Sequence, residues 1–243
     1  MSGIIGVVGQ REGGPEMGHL AQDVIDHINA TRADVEAVPM VEPDADADMF
    51  LFTRRSDGGF DEMMAISDDD GIPVVFASTH FPPQISPYHG ATFIDAPNLS
   101  LAALAYMDEV AALGEGREDW GLSIVEHHQE AKGANVSGTA KKIADMLGRS
   151  HDAITSVRDF QRSQAEYGIE DQFEGGFAIH NTVLTHPVSG ETVTTGADLV
   201  IRGRETYAVG TLAIYDALQV PAIAEQYDGQ RVHMVDFYRD QLA

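Results

Sequence analysis

Short apolar runs alternate with helical patterns through the first hundred residues. Residues 4–8 form an apolar run that ends at Gly9, and a helical pattern follows with Leu20, Val24 and Ile28 on one face. Similar patterns predict strands over residues 35–41, 49–52, 72–77 and 91–94, and a helix over residues 58–66. Continuous apolar strands separated by helices indicate a parallel sheet that is covered on both faces.

The pattern changes after Pro97. Ser100 is expected to cap a helix over residues 101–111, and a second helix is expected over 137–147. Strands are predicted over residues 120–125, 154–157, 178–185 and 191–201, the last two around a turn at Ser189 and Gly190. Helical spacing returns from Tyr207 to Leu218. The predicted fold class is α/β: an N-terminal Rossmann-type parallel sheet plus an inserted α+β domain with a mixed or antiparallel sheet. Expected boundaries put residues 1–101 and 205–243 in the first domain and residues 102–204 in the second.

Charge and composition narrow the possible partners. The net charge of −24 disfavours binding to nucleic acid or to an anionic membrane. The absence of cysteine excludes disulfides and thiolate metal sites. The N-terminus lacks the basic and apolar regions of a signal peptide, and no apolar run approaches the roughly 18 residues of a membrane helix. We therefore expect a soluble cytoplasmic protein, and the acidic surface is compatible with a salt-adapted source.

The loop after the first strand is rich in glycine, at Gly9, Gly13, Gly14 and Gly18. Glycines let the backbone approach a pyrophosphate, and the following helix N-terminus offers amide donors. The compact G-x-G-x-x-G spacing is absent, so an ordinary glycine-rich turn is an equal alternative at this point.

The segment over residues 125–141 carries the chemistry. His128 titrates near neutrality and Lys132 adds a proton-donating cation. Ser137, Gly138 and Thr139 offer hydroxyls and amide N–H groups at a predicted helix start, which can hold a carboxylate. A solvated loop with capping residues is the alternative. No metal site is expected, because the adjacent side chains of His127 and His128 point in different directions.

This segment resembles the signature of the 4-hydroxy-tetrahydrodipicolinate reductase (dihydrodipicolinate reductase) family, in particular its plant-type branch. The letters are E-x-H-Q-x-x-K from Glu126 to Lys132, followed by S-G-T-A-K from Ser137 to Lys141. Other family elements are similar in the same order: D-F-T at residues 51–53, V-I-G-T-T-G-F at 75–81, A-P-N-x-S at 96–100, I-R-D at 157–159 and G-R-x-x-Y-A-x-G-T at 203–211.

The resemblance implies a Rossmann domain that binds NADH or NADPH. It also implies a second domain that binds the substrate, a small dicarboxylate with a cyclic imine, and that pairs into a homotetramer. The implied reaction reduces 4-hydroxy-tetrahydrodipicolinate in diaminopimelate and lysine biosynthesis. His128 and Lys132 are the implied catalytic residues. The implied substrate-binding residues are Gln129, Ser137, Gly138 and Thr139. The expected cofactor-binding residues are Gly9, Met17, Gly18, Glu42, Thr53, Ala77, Ser78, Thr79, Asn98 and Arg204. Glu42, at the end of the second strand, favours NADH because it repels a 2′-phosphate.

Three departures from the family pattern keep alternatives open. The glycine loop has three extra residues before Met17, residues 133–136 lack the usual aspartate, and Phe177 stands where the family has histidine. One alternative is a family member with a drifted cyclic-imine or dicarboxylate substrate. The other is a non-catalytic binding or regulatory homologue.

Overall fold

The computed structural model describes residues 3–9, 19–40, 44, 46–53, 60–77, 90–129, 136–174, 176–194, 199–202 and 205–243. Strands and helices are numbered in chain order over these residues. The strands are β1 (Gly3–Val8), β2 (Val35–Pro39), β3 (Met49–Phe52), β4 (Val74–Phe76), β5 (Phe93–Asp95), β6 (Gly121–His128), β7 (Ile154–Val157), β8 (Phe177–Thr185), β9 (Thr192–Thr194), β10 (Leu199–Arg202) and β11 (Arg231–His233). The α-helices are α1 (His19–Thr31), α2 (Phe60–Asp70), α3 (Leu101–Gly114), α4 (Gly138–Met146), α5 (Phe160–Tyr167), α6 (Glu205–Leu218), α7 (Pro221–Tyr227) and α8 (Met234–Gln241).

The chain divides into two compact units. The first comprises Met1–Leu101 and Arg204–Ala243, and the second comprises Ala102–Gly203. Within the described residues, no single helix is long and apolar enough to cross a bilayer. The pair α6 and α7 passes that test together, by length and composition only, and is bent by 95°.

The first unit contains a six-stranded parallel sheet in the order β11-β5-β4-β3-β1-β2. Its core is aromatic: Phe52 and Phe76 are register partners whose rings stack at 5.3 Å, and Phe60 at the start of α2 packs edge-on against both. Burying each such ring contributes about 1.5–3 kcal/mol. The parallel sheet expected from the continuous apolar strands is confirmed.

The helix predicted over residues 58–66 is longer than its apolar pattern. It runs over Phe60–Asp70, so the acidic residues Asp68, Asp69 and Asp70 form its exposed last turn. The prediction ended at residue 66 because these carboxylates interrupt the apolar pattern, although the backbone remains helical. Gly71, with φ of 70°, follows the helix in the left-handed region that favours glycine.

The second unit contains a mixed sheet in the order β10-β8-β6-β7, with β9 also paired to β8. β6 and β7 are parallel, whereas β8 is antiparallel to β6, β9 and β10. The predicted mixed or antiparallel sheet is therefore confirmed. The strand expected over residues 191–201 is divided into β9 and β10. The strand expected over 120–125 extends to His128, because β7 and β8 pair with it on both sides.

A close approach of two backbone segments in the first unit explains one glycine of the G-R-x-x-Y-A-x-G-T element. A Cβ at Gly210, in the middle of α6, would overlap the carbonyl oxygen of Leu99. Gly210→Ala should therefore lower the free energy of unfolding by about 1–3 kcal/mol. In an uncrowded helix the same change would instead stabilise by up to about 1 kcal/mol.

Urea denaturation of the Gly210→Ala variant measures the sign of this effect. Gly176→Ala is the control, since a Cβ there meets nothing within 4 Å. A Gly210→Ala variant as stable as the unmodified chain would contradict the close approach.

Candidate functional site

Strand register places three polar residues in one row across the sheet of the second unit. Glu126 on β6 is paired with Ser156 on β7 and with His180 on β8. Register partners carry their side chains on the same face of a sheet, so Ser156 and His180 flank Glu126 from both sides. Such a row of polar groups within a sheet is stable only if the groups satisfy one another.

The two-residue period of a strand adds His128 and Arg158 to the same face. His128 follows Glu126 by two positions on β6, and Arg158 follows Ser156 by two positions at the end of β7. The N-terminus of α4 also meets this face, where Ser137 contacts both Glu126 and His180. We call Glu126, His128, Ser137, Ser156, Arg158 and His180 the Glu126 cluster.

Glu126 is fully buried and is the acceptor at the centre of the cluster. One carboxylate oxygen, Oε1, accepts from the Ser156 hydroxyl at 2.6 Å and from the Arg158 guanidinium at 2.9 Å. The backbone N–H of Ser137 lies 3.0 and 3.2 Å from the two oxygens. Burial by itself would raise the pKa of Glu126, but the contacts from His180, Ser137, Ser156 and Arg158 outweigh it and hold the pKa well below its ordinary value.

Two histidine Nε2 atoms face the other carboxylate oxygen of Glu126. The Nε2 atoms of His128 and His180 lie 3.7 and 3.6 Å from Oε2, slightly beyond hydrogen-bond length. The two rings are nearly perpendicular, with centroids 5.4 Å apart. Both side chains are almost completely buried. The donor atoms of Glu126, His128 and His180 all lie within 4.8 Å of one another, so these residues are a possible set of metal ligands.

Ser137 caps α4 and links that helix to the cluster. Its hydroxyl accepts from the backbone N–H of Ala140 at 3.1 Å and lies 3.2 Å from Nε2 of His180. Ser137 is 1% exposed, so both its N–H and its hydroxyl are engaged inside the protein. Gly138 and Thr139 form the start of α4, where helix amides and the helix dipole attract an anion. Gln129, half-buried, follows β6 directly.

His127 lies on the opposite face of β6 from His128, as the alternation of a strand requires. Its Nδ1 is 2.8 Å from the Ser163 hydroxyl, and its Nε2 is 3.6 Å from Glu166 of α5. Ser163 donates its own proton to the Asp159 carbonyl, so it accepts from His127 and is not an activated nucleophile. The predicted divergence of the two histidines is confirmed, and His127 joins β6 to α5.

Phe177 also lies on the face that α5 covers. It is 2% exposed and packs against Phe160, in a cluster with Ile169 and Ile179. The position that carries histidine in the family pattern is therefore a hydrophobic core position in this chain.

Four of the expected cofactor-binding residues are described in the first unit. Gly9, Thr53 and Ala77 follow directly after β1, β3 and β4, and hydrogen bonds from Thr53 N–H to Val8 and from Ala77 N–H to Phe52 continue the ladder there. They therefore lie side by side at the carboxyl edge of the sheet, where ligands bind in open α/β sheets. Asn98 is 3% exposed, and its side-chain oxygen accepts from the Ser100 N–H.

The remaining expected site residues lie outside the described part of the chain. They are Met17, Gly18, Glu42, Ser78, Thr79, Lys132 and Arg204.

Sequence reasoning assigned no site role to Glu126, Ser156, Arg158 or His180. The alternation of Glu126 and His128 within one apolar strand was the available signal, since a buried strand rarely carries ionisable residues. Ser156 and His180 reach the cluster only through the pairing of β6 with β7 and β8, which local patterns do not specify.

Comparison with known proteins shows the fold. No protein-family model matches the chain, and no curated protein matches its sequence. The solved structure of dipicolinate-bound dihydrodipicolinate reductase from Paenisporosarcina sp. TG-14 is similar, with a TM-score of 0.61 and 15% identity over 96% of this chain and 98% of that one. The chain has the dihydrodipicolinate reductase fold.

A second solved structure is similar over 97% of this chain and 93% of its own length, with a TM-score of 0.39 and 10% identity. It is the DAP dehydrogenase of C. glutamicum in complex with DAP. The dihydrodipicolinate reductase fold agrees with the α/β class expected from the sequence, with a parallel sheet in one unit and a mixed sheet in the other.

Proposed function

We propose that the chain is an NAD(P)H-dependent reductase that converts 4-hydroxy-tetrahydrodipicolinate to tetrahydrodipicolinate in diaminopimelate and lysine biosynthesis. The observation that carries this proposal is the Glu126 cluster. The segment whose letters resemble the reductase signature forms a buried polar site under a helix N-terminus, in a chain with the fold of that enzyme. Gln129 directly after His128 favours the plant-type branch.

Each unit has its own proposed role. The first unit binds the nucleotide, and the second binds the substrate and pairs into a homotetramer, in the cytoplasm. The residues of the first unit fit a nicotinamide dinucleotide: Gly9, Thr53 and Ala77 put small side chains after three neighbouring strands, and the first turn of α1 carries no acidic residue. A diphosphate near that helix start meets no opposing carboxylate in this turn.

The reduction consumes one hydride and one proton, because the 4-hydroxyl group leaves as water. Reduced nicotinamide supplies the hydride when bound. His128 supplies the proton through Nε2, which lies 3.7 Å from the Glu126 carboxylate. Lys132, four residues later in sequence, is the second proposed proton donor.

Local charge supports binding of a dicarboxylate despite the acidic composition of the chain. Arg158 balances the charge of Glu126 at 2.9 Å, so the cluster does not repel an anion. Gly138 and Thr139 at the start of α4 are the proposed carboxylate-binding residues, and Gln129, directly after β6, is a further one. Ser137 contributes by holding the helix start against Glu126, since its N–H donates to Glu126 and its hydroxyl accepts from the N–H of Ala140.

A second candidate is a reductase of the same fold with a different cyclic imine or dicarboxylate as substrate. Phe177 favours it, because this buried phenyl ring cannot make the hydrogen bonds of the histidine that the family pattern has there. The two candidates share the cofactor and differ in which ring is reduced.

Fluorescence titration with NADH and NADPH tests the shared part of the proposal. Saturable binding of at least one nucleotide is expected, in the roughly 1 μM–1 mM range typical of enzyme substrates. Dipicolinate, the ligand bound in the similar structure, is the probe for the dicarboxylate site and should bind to the nucleotide-saturated chain. Binding of neither nucleotide below about 1 mM would overturn the proposed function.

A further inference from the structure

We propose that Glu126, His128 and His180 form a binding site for a divalent transition-metal ion. Potential ligand atoms of these three residues lie within 4.8 Å of one another inside the second unit, and Oε2 of Glu126 faces Nε2 of each histidine. The binding itself does not depend on the proposed function.

The spacing of these atoms is close to that of a tetrahedral site. Two donors bound to one zinc ion at about 2.0–2.1 Å lie roughly 3.3–3.4 Å apart when the coordination is tetrahedral. In the chain, Oε2 of Glu126 is 3.7 Å from Nε2 of His128 and 3.6 Å from Nε2 of His180. A movement of about 0.3 Å would bring each of these two pairs to the tetrahedral spacing.

The donor types select the class of metal. Two imidazoles and one carboxylate suit zinc, cobalt, nickel or iron, whereas calcium and magnesium require mainly oxygen ligands and net negative charge. Arg158, 2.9 Å from the other oxygen of Glu126, cancels the charge on which a hard cation depends. Transition-metal ions bind imidazole nitrogen more strongly than calcium or magnesium does, so they tolerate the nearby guanidinium better than those ions.

The surroundings of Glu126 orient it as a ligand. Ser156 and Arg158 bind Oε1 and leave Oε2 directed at the two histidines, and the Ser137 N–H bridges both oxygens. Metal-ligating carboxylates are commonly held by such outer hydrogen bonds. A water molecule would be the fourth ligand of a tetrahedral site, because the hydroxyl of Ser137, 3.2 Å from Nε2 of His180, is engaged in capping α4.

Metal binding has a consequence for catalysis that rests on the proposed function. An ion bound to Nε2 of His128 removes that nitrogen from proton transfer, so zinc should inhibit the reductase and a chelator should restore it. Nε2 of His128 therefore either binds the metal or carries the proton that is donated, and the two uses exclude each other.

Titration of the full, tag-free chain with Co²⁺ tests the site, because tetrahedral Co²⁺ gives an intense visible absorption. We expect one equivalent to develop this absorption and Zn²⁺ to displace it. His180→Asn should weaken Co²⁺ binding by roughly 100-fold or more, beyond the 10–100-fold typical of outer-shell changes. His151→Asn is the matched control: His151 is exposed, pairs with Asp145 at 2.9 Å and should leave the absorption unchanged.

The assay requires neither nucleotide nor substrate, so its failure is distinguishable from failure of the proposed function. Circular dichroism shows whether His180→Asn folds. If it does not, His128→Asn, which removes the other histidine ligand at the end of β6, should weaken Co²⁺ binding in the same way. Absence of the tetrahedral absorption from the unmodified chain, or its persistence in the folded His180→Asn or His128→Asn variant, overturns the proposal.

Discussion

Replacing His128 by alanine should lower kcat for the proposed reduction by about 10²–10⁴-fold, the usual contribution of a positioned proton donor. The affinity for NADH should stay unchanged, because the nucleotide is assigned to the first unit. The loss of rate is expected because His128 lies at the end of β6, with Nε2 3.7 Å from the Glu126 carboxylate, among the residues proposed to surround the substrate. Steady-state rates and fluorescence titrations on one preparation measure both quantities.

The pH profile separates a proton donor from a residue that only supports the fold. A proton donor loses activity when rising pH removes its proton, so a basic limb of kcat that belongs to His128 should disappear in His128→Ala. His151→Ala is the control, since His151 is an exposed histidine of the same unit and should retain the full rate and profile. Equal rates for His128→Ala and the unmodified chain would remove the proposed role of His128.

Glu126→Gln should lower the free energy of unfolding by about 3–5 kcal/mol, the cost of removing one partner of a buried ion pair. The change keeps the shape of the side chain but leaves the Arg158 guanidinium without its charged acceptor. The NH₂ group of glutamine also meets donors where an oxygen accepted hydrogen bonds before. Urea denaturation measures the loss. Glu109→Gln on the exposed surface of α3 is the matched control and should change stability by less than about 0.5 kcal/mol.

The pH dependence of the free energy of unfolding under acidic conditions gives a second test of the role of Glu126. Its pKa in the folded chain is lowered, so at mildly acidic pH the unfolded chain binds a proton at Glu126 that the folded chain does not. Stability from this group is therefore fully present above the unfolded pKa, about 4.3, and declines as pH falls toward the folded pKa. Glu126→Gln should flatten this decline, and a slope equal to that of Glu109→Gln would contradict the account.

Local patterns were sufficient for most of the first unit. β3 runs from Met49 to Phe52 as predicted, because four consecutive apolar residues bounded by polar ones define a buried strand without reference to the rest of the chain. The end of α2 was predicted too early, because carboxylates at residues 68–70 break the apolar pattern while the backbone remains helical.

The functional cluster was predicted only in part. The letters around His128 and the start of α4 are contiguous, so a motif reveals them, and Ser137 caps α4 as a serine before a helix indicates. His180 and Ser156 come from other strands, and their place beside Glu126 depends on register, which long-range pairing decides. The strand predicted to end at residue 125 continues to His128, since its polar side chains satisfy one another within the sheet.

The most direct test of the central claim is an assay in which a synthase generates 4-hydroxy-tetrahydrodipicolinate and the chain is added with NADH or NADPH. The account predicts oxidation of the nicotinamide that requires both the chain and the synthase product, with kcat roughly in the 1–10³ s⁻¹ range of ordinary enzymes. The account would be contradicted if protein that binds the nucleotide oxidised it no faster than the same mixture without the chain.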